Sequence, residues 1–258
     1  MKEMNKVIAI ANHKGGVAKS QTAIELAYYL ATQGKSILVV DTDPQANTSD
    51  LLLAGNTPAG RILPDILIEG DCVIPKDIMT RTFSGGISID YVCSSIKASR
   101  IEQRITMTPR EYLIVHVLKE IRDQYDYIII DTPPSAELLS LGSLVASDAV
   151  LIPTTPDKPS IDGVASIIQL ISAIKNNTYL ATHDIRIGIL VTRYRFAIST
   201  MKGERTLEER YKDALISTHI RECTRVQQAV DNCRPVLDFD PGCNAAKDYM
   251  KAFSLLRL

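Results

Sequence analysis

Apolar and polar positions along the chain follow two rhythms. Short apolar runs recur at Val7–Ala11, Ser36–Val40, Tyr127–Ile130 and Ala149–Ile152, and Ile185–Val191 reads as a further strand. Such runs suit strands buried on both faces of a parallel sheet. Ile87–Cys93 alternates instead and predicts a further strand. Between the first two runs Ile24, Ala27, Tyr28 and Ala31 recur at helical spacing. They predict a helix over Thr22–Gln33, with Gly34 at its C-terminal cap. Helices are also predicted over Ile62–Ile68, Ser160–Lys175, Leu207–Ile216 and Asn244–Leu256. Another should start at Thr108 and run to about Gln124: Thr108 caps, Pro109 takes the first position and Glu111 completes a capping box. Strands alternate with helices throughout, without a repeat, a low-complexity tract or a linker. The expected fold is α/β: one doubly wound, mostly parallel sheet with helices on both faces, spanning residues 1–258 as a single domain. Ligands are expected at the carboxyl ends of its strands.

Composition narrows the class. Of 258 residues, 45% are apolar and 23% charged, which excludes a wholly disordered chain. No stretch approaches the ~20 apolar residues of a membrane span. Met1–Lys6 carries charge without a signal-type apolar core, so the expected location is cytoplasmic. A formal net charge of -1 excludes a chain-wide polycation but not a local basic patch. Cys72, Cys93, Cys223, Cys233 and Cys243 contain no CxxC pair, and reduced thiols are the simplest reading. The even spacing of the last three finds no His or close Cys partner for a metal.

The chemistry concentrates after the first strand, in Lys14-Gly15-Gly16-Val17-Ala18-Lys19-Ser20. Gly15 and Gly16 allow a tight backbone with inward N–H groups, and the following helix adds positive potential for phosphates. Lys19 can reach the β and γ phosphates of a nucleotide, and the Ser20 hydroxyl can ligate Mg²⁺. Ala18 breaks the general GxxxxGK[ST] pattern. Its methyl fits only if the position does not need positive φ. Two strands end in aspartate, at Asp41 and Asp131. Asp41 and Asp43 share a face if the pleat persists.

With its second lysine at Lys14, the loop reads KGGxxK[ST] and resembles the deviant Walker A motif of the ParA/MinD family of ATPases. Asp41-Thr42-Asp43-Pro44-Gln45 resembles the family's DxDPQ segment, and Tyr127–Pro134 its Walker B segment. Val150–Pro153 and Pro235–Pro241 match later segments, so the resemblance covers essentially the whole chain. It is closest to the small, Soj-like ParA type, which lacks an N-terminal DNA-binding domain. Only six residues precede the first strand here.

The resemblance implies a slow, Mg²⁺-dependent ATPase with ATP or ADP bound along Lys14, Gly15, Gly16, Val17, Ala18, Lys19, Ser20 and Gln21. It implies a homodimer that sandwiches two nucleotides, Lys14 reaching into the partner's site. Lys14, Lys19 and Asp43 are then the catalytic residues, Asp43 orienting the attacking water. Ser20, Asp41 and Asp131 surround the metal. Gln21 stands where the family has Thr, and Arg221-Glu222-Cys223 where it has a PRN-type adenine segment, leaving Arg221 and Cys223 as backbone contacts to the base.

Residues 186–225 carry nine Lys/Arg against five Asp/Glu, an excess of four. Fixed cations of this kind can hold phosphates without reading sequence. The resemblance adds Arg225 as a contact to non-specific double-stranded DNA, with Arg205 or the pair Arg193 and Arg195 supplying a second arginine. It also implies a ParB-like centromere-binding partner and a nucleoid-associated location. The last helix carries Met250, Phe253, Leu255 and Leu256 with little cationic extension, so it reads as a packing helix and no membrane contact is expected. The rival readings are a MinD-like membrane-associated regulator and a weakly active nucleotide-binding scaffold. The nitrogenase iron-protein branch is set aside because Cys93 lacks a matching cysteine.

Overall fold

The computed structural model describes residues 6–105, 108–135, 137–180 and 184–256. Among them, one sheet contains eight strands. These are β1 (Lys6–Ile10), β2 (Ile37–Asp41), β3 (Met79–Thr82), β4 (Ser88–Val92), β5 (Tyr127–Asp131), β6 (Ala149–Thr154), β7 (Arg186–Tyr194) and β8 (Leu215–Arg221). Their order is β3-β4-β2-β5-β1-β6-β7-β8. All neighbours run parallel except the β3–β4 hairpin.

The helices are α1 (Lys19–Thr32), α2 (Asn47–Leu53), α3 (Leu63–Glu69), α4 (Leu113–Leu118), α5 (Leu138–Val145), α6 (Lys158–Asn176), α7 (Ile198–Tyr211), α8 (Thr224–Asp231), α9 (Val236–Phe239) and α10 (Asn244–Ser254). Side chains of β1 explain the two-sided arrangement. Ile8 and Ile10 face a core shared with α1, α2, α8, α9 and α10. Val7, Ala9 and Ala11 point the opposite way, into cores shared with α3 to α7. The expected doubly wound fold is therefore present.

Several elements depart from the sequence pattern. The expected helix over Leu207–Ile216 splits: α7 ends at Tyr211, and Leu215 begins β8. Pairing with β7 decides this, because a short segment with few apolar positions fits either period. Within α7, Gly203 is required by packing, since an added Cβ would lie 1.9 Å from the Pro156 carbonyl oxygen. Thr108 does not cap the next helix. Pro109 holds the cap position and a single 3-10 turn leads into α4, which stops at Leu118. Beyond it, Ile121 is fully buried and Arg122–Gln124 forms a separate tight turn. Gly34 does close α1 with φ 76, its N–H donating to Ala31 O at 3.0 Å. The last helix packs as expected: Ala245, Ala246, Tyr249, Ala252 and Phe253 are buried in the core with α1. Among the described residues no helix is long and apolar enough to cross a membrane. All five cysteines are free thiols.

Candidate functional site

The parallel register places three strand ends side by side. Ile10, Asp41 and Asp131 occupy one level at the carboxyl ends of β1, β2 and β5. The loop of residues 14–18 rises from β1 there and turns into α1. Its backbone is fixed from several sides. Lys14 N–H donates to Asn12 Oδ1 at 2.9 Å, and Asn12 Nδ2 donates to Pro153 O at 2.8 Å. The Thr192 hydroxyl donates to Val17 O at 3.0 Å. Gly16 has φ 77, which glycine tolerates. Ala18 has φ 63 and ψ 36, so its methyl does sit in the left-handed region. That conformation costs an L-residue ~1–2 kcal/mol.

The two loop lysines are separated by burial. Lys19 is 7% exposed, whereas Lys14 stands exposed on the rim. Burial lowers the pKa of Lys19, and the carboxylates of Asp131 and Asp43 partly oppose that shift. Lys19 therefore lies between the loop and the acidic strand ends.

The three aspartates differ in what they have left to offer. Asp43 is buried, and its Oδ1 accepts from Gln45 N–H at 2.9 Å. Asp41 is engaged through both oxygens: Oδ1 accepts from Asp43 N–H at 2.9 Å, while Oδ2 accepts from Ser49 N–H at 2.9 Å and Ser49 Oγ at 2.7 Å. Asp41, expected near the metal, holds the turn after β2 through these three bonds. Asp131 Oδ2 accepts from the Thr48 hydroxyl at 2.7 Å, but its Oδ1 is buried without a hydrogen bond of good geometry. Burial raises the pKa of both carboxyls, and the charge of Asp131 raises Asp41 further. Ser20 and Thr48 partly offset the shift of Asp131. A divalent cation would relieve this repulsion, and Asp131 Oδ1 with the Ser20 hydroxyl would offer it two of the hard oxygen donors that Mg²⁺ prefers. The residues present fit that ion.

Thr48 and Ser49 carry no sequence motif that marks them as site residues. Both belong to α2, whose start is signalled only by the polar run Asn47-Thr48-Ser49-Asp50.

Two cavities open on the loop. One, of about 530 Å³, is bounded by Gln21, Thr192, Arg221, Cys223 and Tyr249. The expected base-side residues Arg221 and Cys223 therefore do line a pocket beside Gln21. The Arg221 guanidinium is held by Asp248, with Nε at 2.8 Å from Oδ2 and an arm at 2.8 Å from Oδ1, so its side chain is not free to read a base. Gln21 donates to the buried Glu25 carboxyl. The second cavity, of about 870 Å³, lies before the loop between Lys14, Asp157, Lys158 and α7.

Comparison with known proteins supplies the family. An AAA domain family model matches residues 5–186. The sporulation initiation inhibitor protein Soj of Bacillus subtilis is 30% identical over 249 residues, covering 96% of each chain. The chromosome partitioning protein ParA of Caulobacter vibrioides is 30% identical over 251 residues, 95% of this chain and 91% of that protein. The chain belongs to the ParA/MinD-like family of partitioning ATPases. Solved structures agree in fold. A plasmid partition protein of Borrelia burgdorferi bound to AMPPNP superposes with a TM-score of 0.80 at 23% identity, covering 97% of both chains. Cobyrinic acid a,c-diamide synthase of Mycobacterium smegmatis, with ADP and magnesium, gives a TM-score of 0.79 at 25% identity, covering 98% of this chain and 95% of that one. This ParA/MinD-like fold thus holds nucleotide and magnesium in its neighbours.

The basic residues of the ParA-like chain divide into two groups. Arg205 lies on the outer face of α7, its side chain 79% exposed, paired with Glu209 at 2.8 Å. Arg225 lies in the first turn of α8, with Nε 2.6 Å from Asp240 Oδ2 and its guanidinium 5.4 Å from the Phe239 ring centre. Arg195 is 74% exposed and bound to Glu222. Arg193 differs: though its side chain is 54% exposed, it donates to Gly16 O at 3.0 Å and so touches the loop.

Proposed function

We propose that this partitioning ATPase works as an ATP-switched dimer on DNA. The observation that carries the reading is the split between Lys19, buried inside its own loop, and Lys14, exposed on the rim. One lysine serves the protomer's own nucleotide, and the other is available to a second copy closing face to face. A cation delivered in this way stabilises charge on the transferred phosphoryl group. Lys19, Ser20 and the inward N–H groups of residues 15–21 hold the phosphates of ATP or ADP, and Arg221 and Cys223 bound the base pocket. Ser20 and Asp131 hold Mg²⁺, which neutralises phosphate charge when bound. Asp43, buried beside Lys19, orients the attacking water. General-base assistance of this kind contributes on the order of 10²–10⁴-fold.

The closed dimer binds double-stranded DNA without sequence preference through Arg205, Arg195 and Arg225. Dimerisation doubles the patch and raises its effective concentration. A ParB-like partner stimulates hydrolysis and releases the dimer, in a cytoplasmic, nucleoid-associated cycle. The left-handed Ala18 favours a second reading, a scaffold with very slow turnover. Comparing ATP hydrolysis by wild type and Asp43→Ala separates the two, since equal rates would leave Asp43 no catalytic part.

The primary test is fluorescence anisotropy of a random-sequence duplex with ATP, ADP or no nucleotide at two salt concentrations. The expected result is ATP-dependent binding that weakens steeply with salt. Binding indifferent to nucleotide, or none, would remove the DNA-carried switch.

A further inference from the structure

Arg193 lies in β7 with φ 51, a left-handed conformation that an arginine adopts only under constraint. The ladder explains it. Val191 pairs with His219 and Tyr194 with Arg221, so β7 carries one more residue than β8 over this stretch. Such a bulge bends the strand and re-aims a side chain. Here it turns the guanidinium onto the phosphate loop. One arm donates to Gly16 O at 3.0 Å, and the other lies 3.5 Å from the Glu222 carboxylate. Glu222 is fixed in turn, its N–H donating to Tyr194 O at 2.9 Å. Arg193 and Glu222 both border the cavity before the loop and the base-side cavity.

The contact has a consequence for the loop's donors. A peptide unit is planar, with its C=O and N–H pointing in opposite directions. Holding the Gly16 carbonyl outward therefore turns the Val17 N–H inward. The preceding residue does the same for the next unit: Thr192 Oγ1 binds Val17 O at 3.0 Å and turns the Ala18 N–H inward. Two consecutive residues of β7 thus set two consecutive loop amides.

We propose that Arg193 is a positioning residue for the nucleotide phosphates, orienting the Val17 amide through the Gly16 carbonyl, with Glu222 as the group that holds the guanidinium in place. The proposal rests on the nucleotide-binding reading above. Thr192 is buried and part of the core, but the Arg193 side chain is 54% exposed, so its removal tests the loop without emptying the interior.

The experiment measures the affinity of a fluorescent N-methylanthraniloyl ATP, with Mg²⁺, and steady-state ATP hydrolysis. The proteins are wild type, Arg193→Met, Arg193→Lys, Glu222→Gln and the Arg193→Met/Glu222→Gln double variant. Arg193→Met should weaken binding and raise KM about tenfold, the loss expected for one charge-assisted contact, while kcat stays within a factor of about two. Arg193→Lys should recover part of the loss, since an ammonium can reach one acceptor but not bridge two. Glu222 also binds Arg195, but on nucleotide affinity it acts through Arg193, so Glu222→Gln should weaken binding to a lesser degree and the double variant should be no worse than Arg193→Met. Equal thermal midpoints without nucleotide show that folding is intact. If wild type binds and Arg193→Met binds equally well, or if the two losses add in full, the inference is wrong while the nucleotide reading stands. If wild type binds no nucleotide, both fall.

Discussion

Asp41 and Asp131 face each other as register partners on the neighbouring parallel strands β2 and β5, and both are buried. Their environments divide the work. Ser49 and the Asp43 amide occupy both oxygens of Asp41, whereas Asp131 keeps Oδ1 free beside the loop. Asp131→Asn should therefore abolish most Mg²⁺-dependent hydrolysis, by on the order of 10²-fold or more. The same change removes one of two repelling buried carboxyls, so the thermal midpoint at neutral pH should not fall. Steady-state hydrolysis and calorimetry on one preparation check both halves. A variant that loses stability and activity together would contradict this division.

Ala18 gives a prediction about backbone strain. It adopts φ 63 where the loop pattern ordinarily carries glycine. Ala18→Gly should relieve ~1–2 kcal/mol of left-handed strain and lose ~0.4–1 kcal/mol to the freer unfolded chain. A net gain of about 0.5 kcal/mol is expected, read as a shift in urea midpoint without a change in slope. A loss of stability would mean that the methyl packs favourably.

Glu25 gives a prediction about pH. Burial pushes its carboxyl from 4.5 up to about 7, against backbone N–H donors from Val236 and Leu237 and the amide of Gln21. The folded pKa lies above the unfolded one, so this stabilising contribution is complete below about 4.5. It is lost as pH rises through about 7. Across that window Glu25 should make unfolding easier by about 3 kcal/mol as pH rises. Glu25→Gln should flatten the corresponding slope in urea titrations at pH 5, 6, 7 and 8. An unchanged slope would assign it to other groups.

Arg225 gives a prediction about DNA. Its guanidinium is engaged by Asp240 and rests over Phe239, so it is restrained before any phosphate arrives. Asp240→Asn should free the cation and tighten ATP-dependent duplex binding several-fold, while Arg225→Ala should weaken it and reduce the salt slope by about 1. Anisotropy titrations over a salt series report both. Identical slopes in all three proteins would exclude Arg225 from the interface.

Much of this protein is legible in its sequence because the signals are local. The unbroken runs at Val7–Ala11 and Tyr127–Ile130 announce strands covered on both faces, and each is so covered. The lysine and glycine spacing of residues 14–20 fixes a strand–loop–helix, since the residues needed for the turn are adjacent. The remainder depends on partners far along the chain. Whether 215–221 is strand or helix is decided by β7, because a short segment of mixed polarity has no preferred period of its own. That Ser49 engages Asp41 while Thr48 engages only Oδ2 of Asp131 follows from α2, which carries both hydroxyls in. That Arg193 serves the phosphate loop follows from a β-bulge meeting a carbonyl 177 residues away. Composition and periodicity carry neither register nor bulge, so the chain itself determined which chemistry was present, and tertiary packing determined which side chains remained free to perform it.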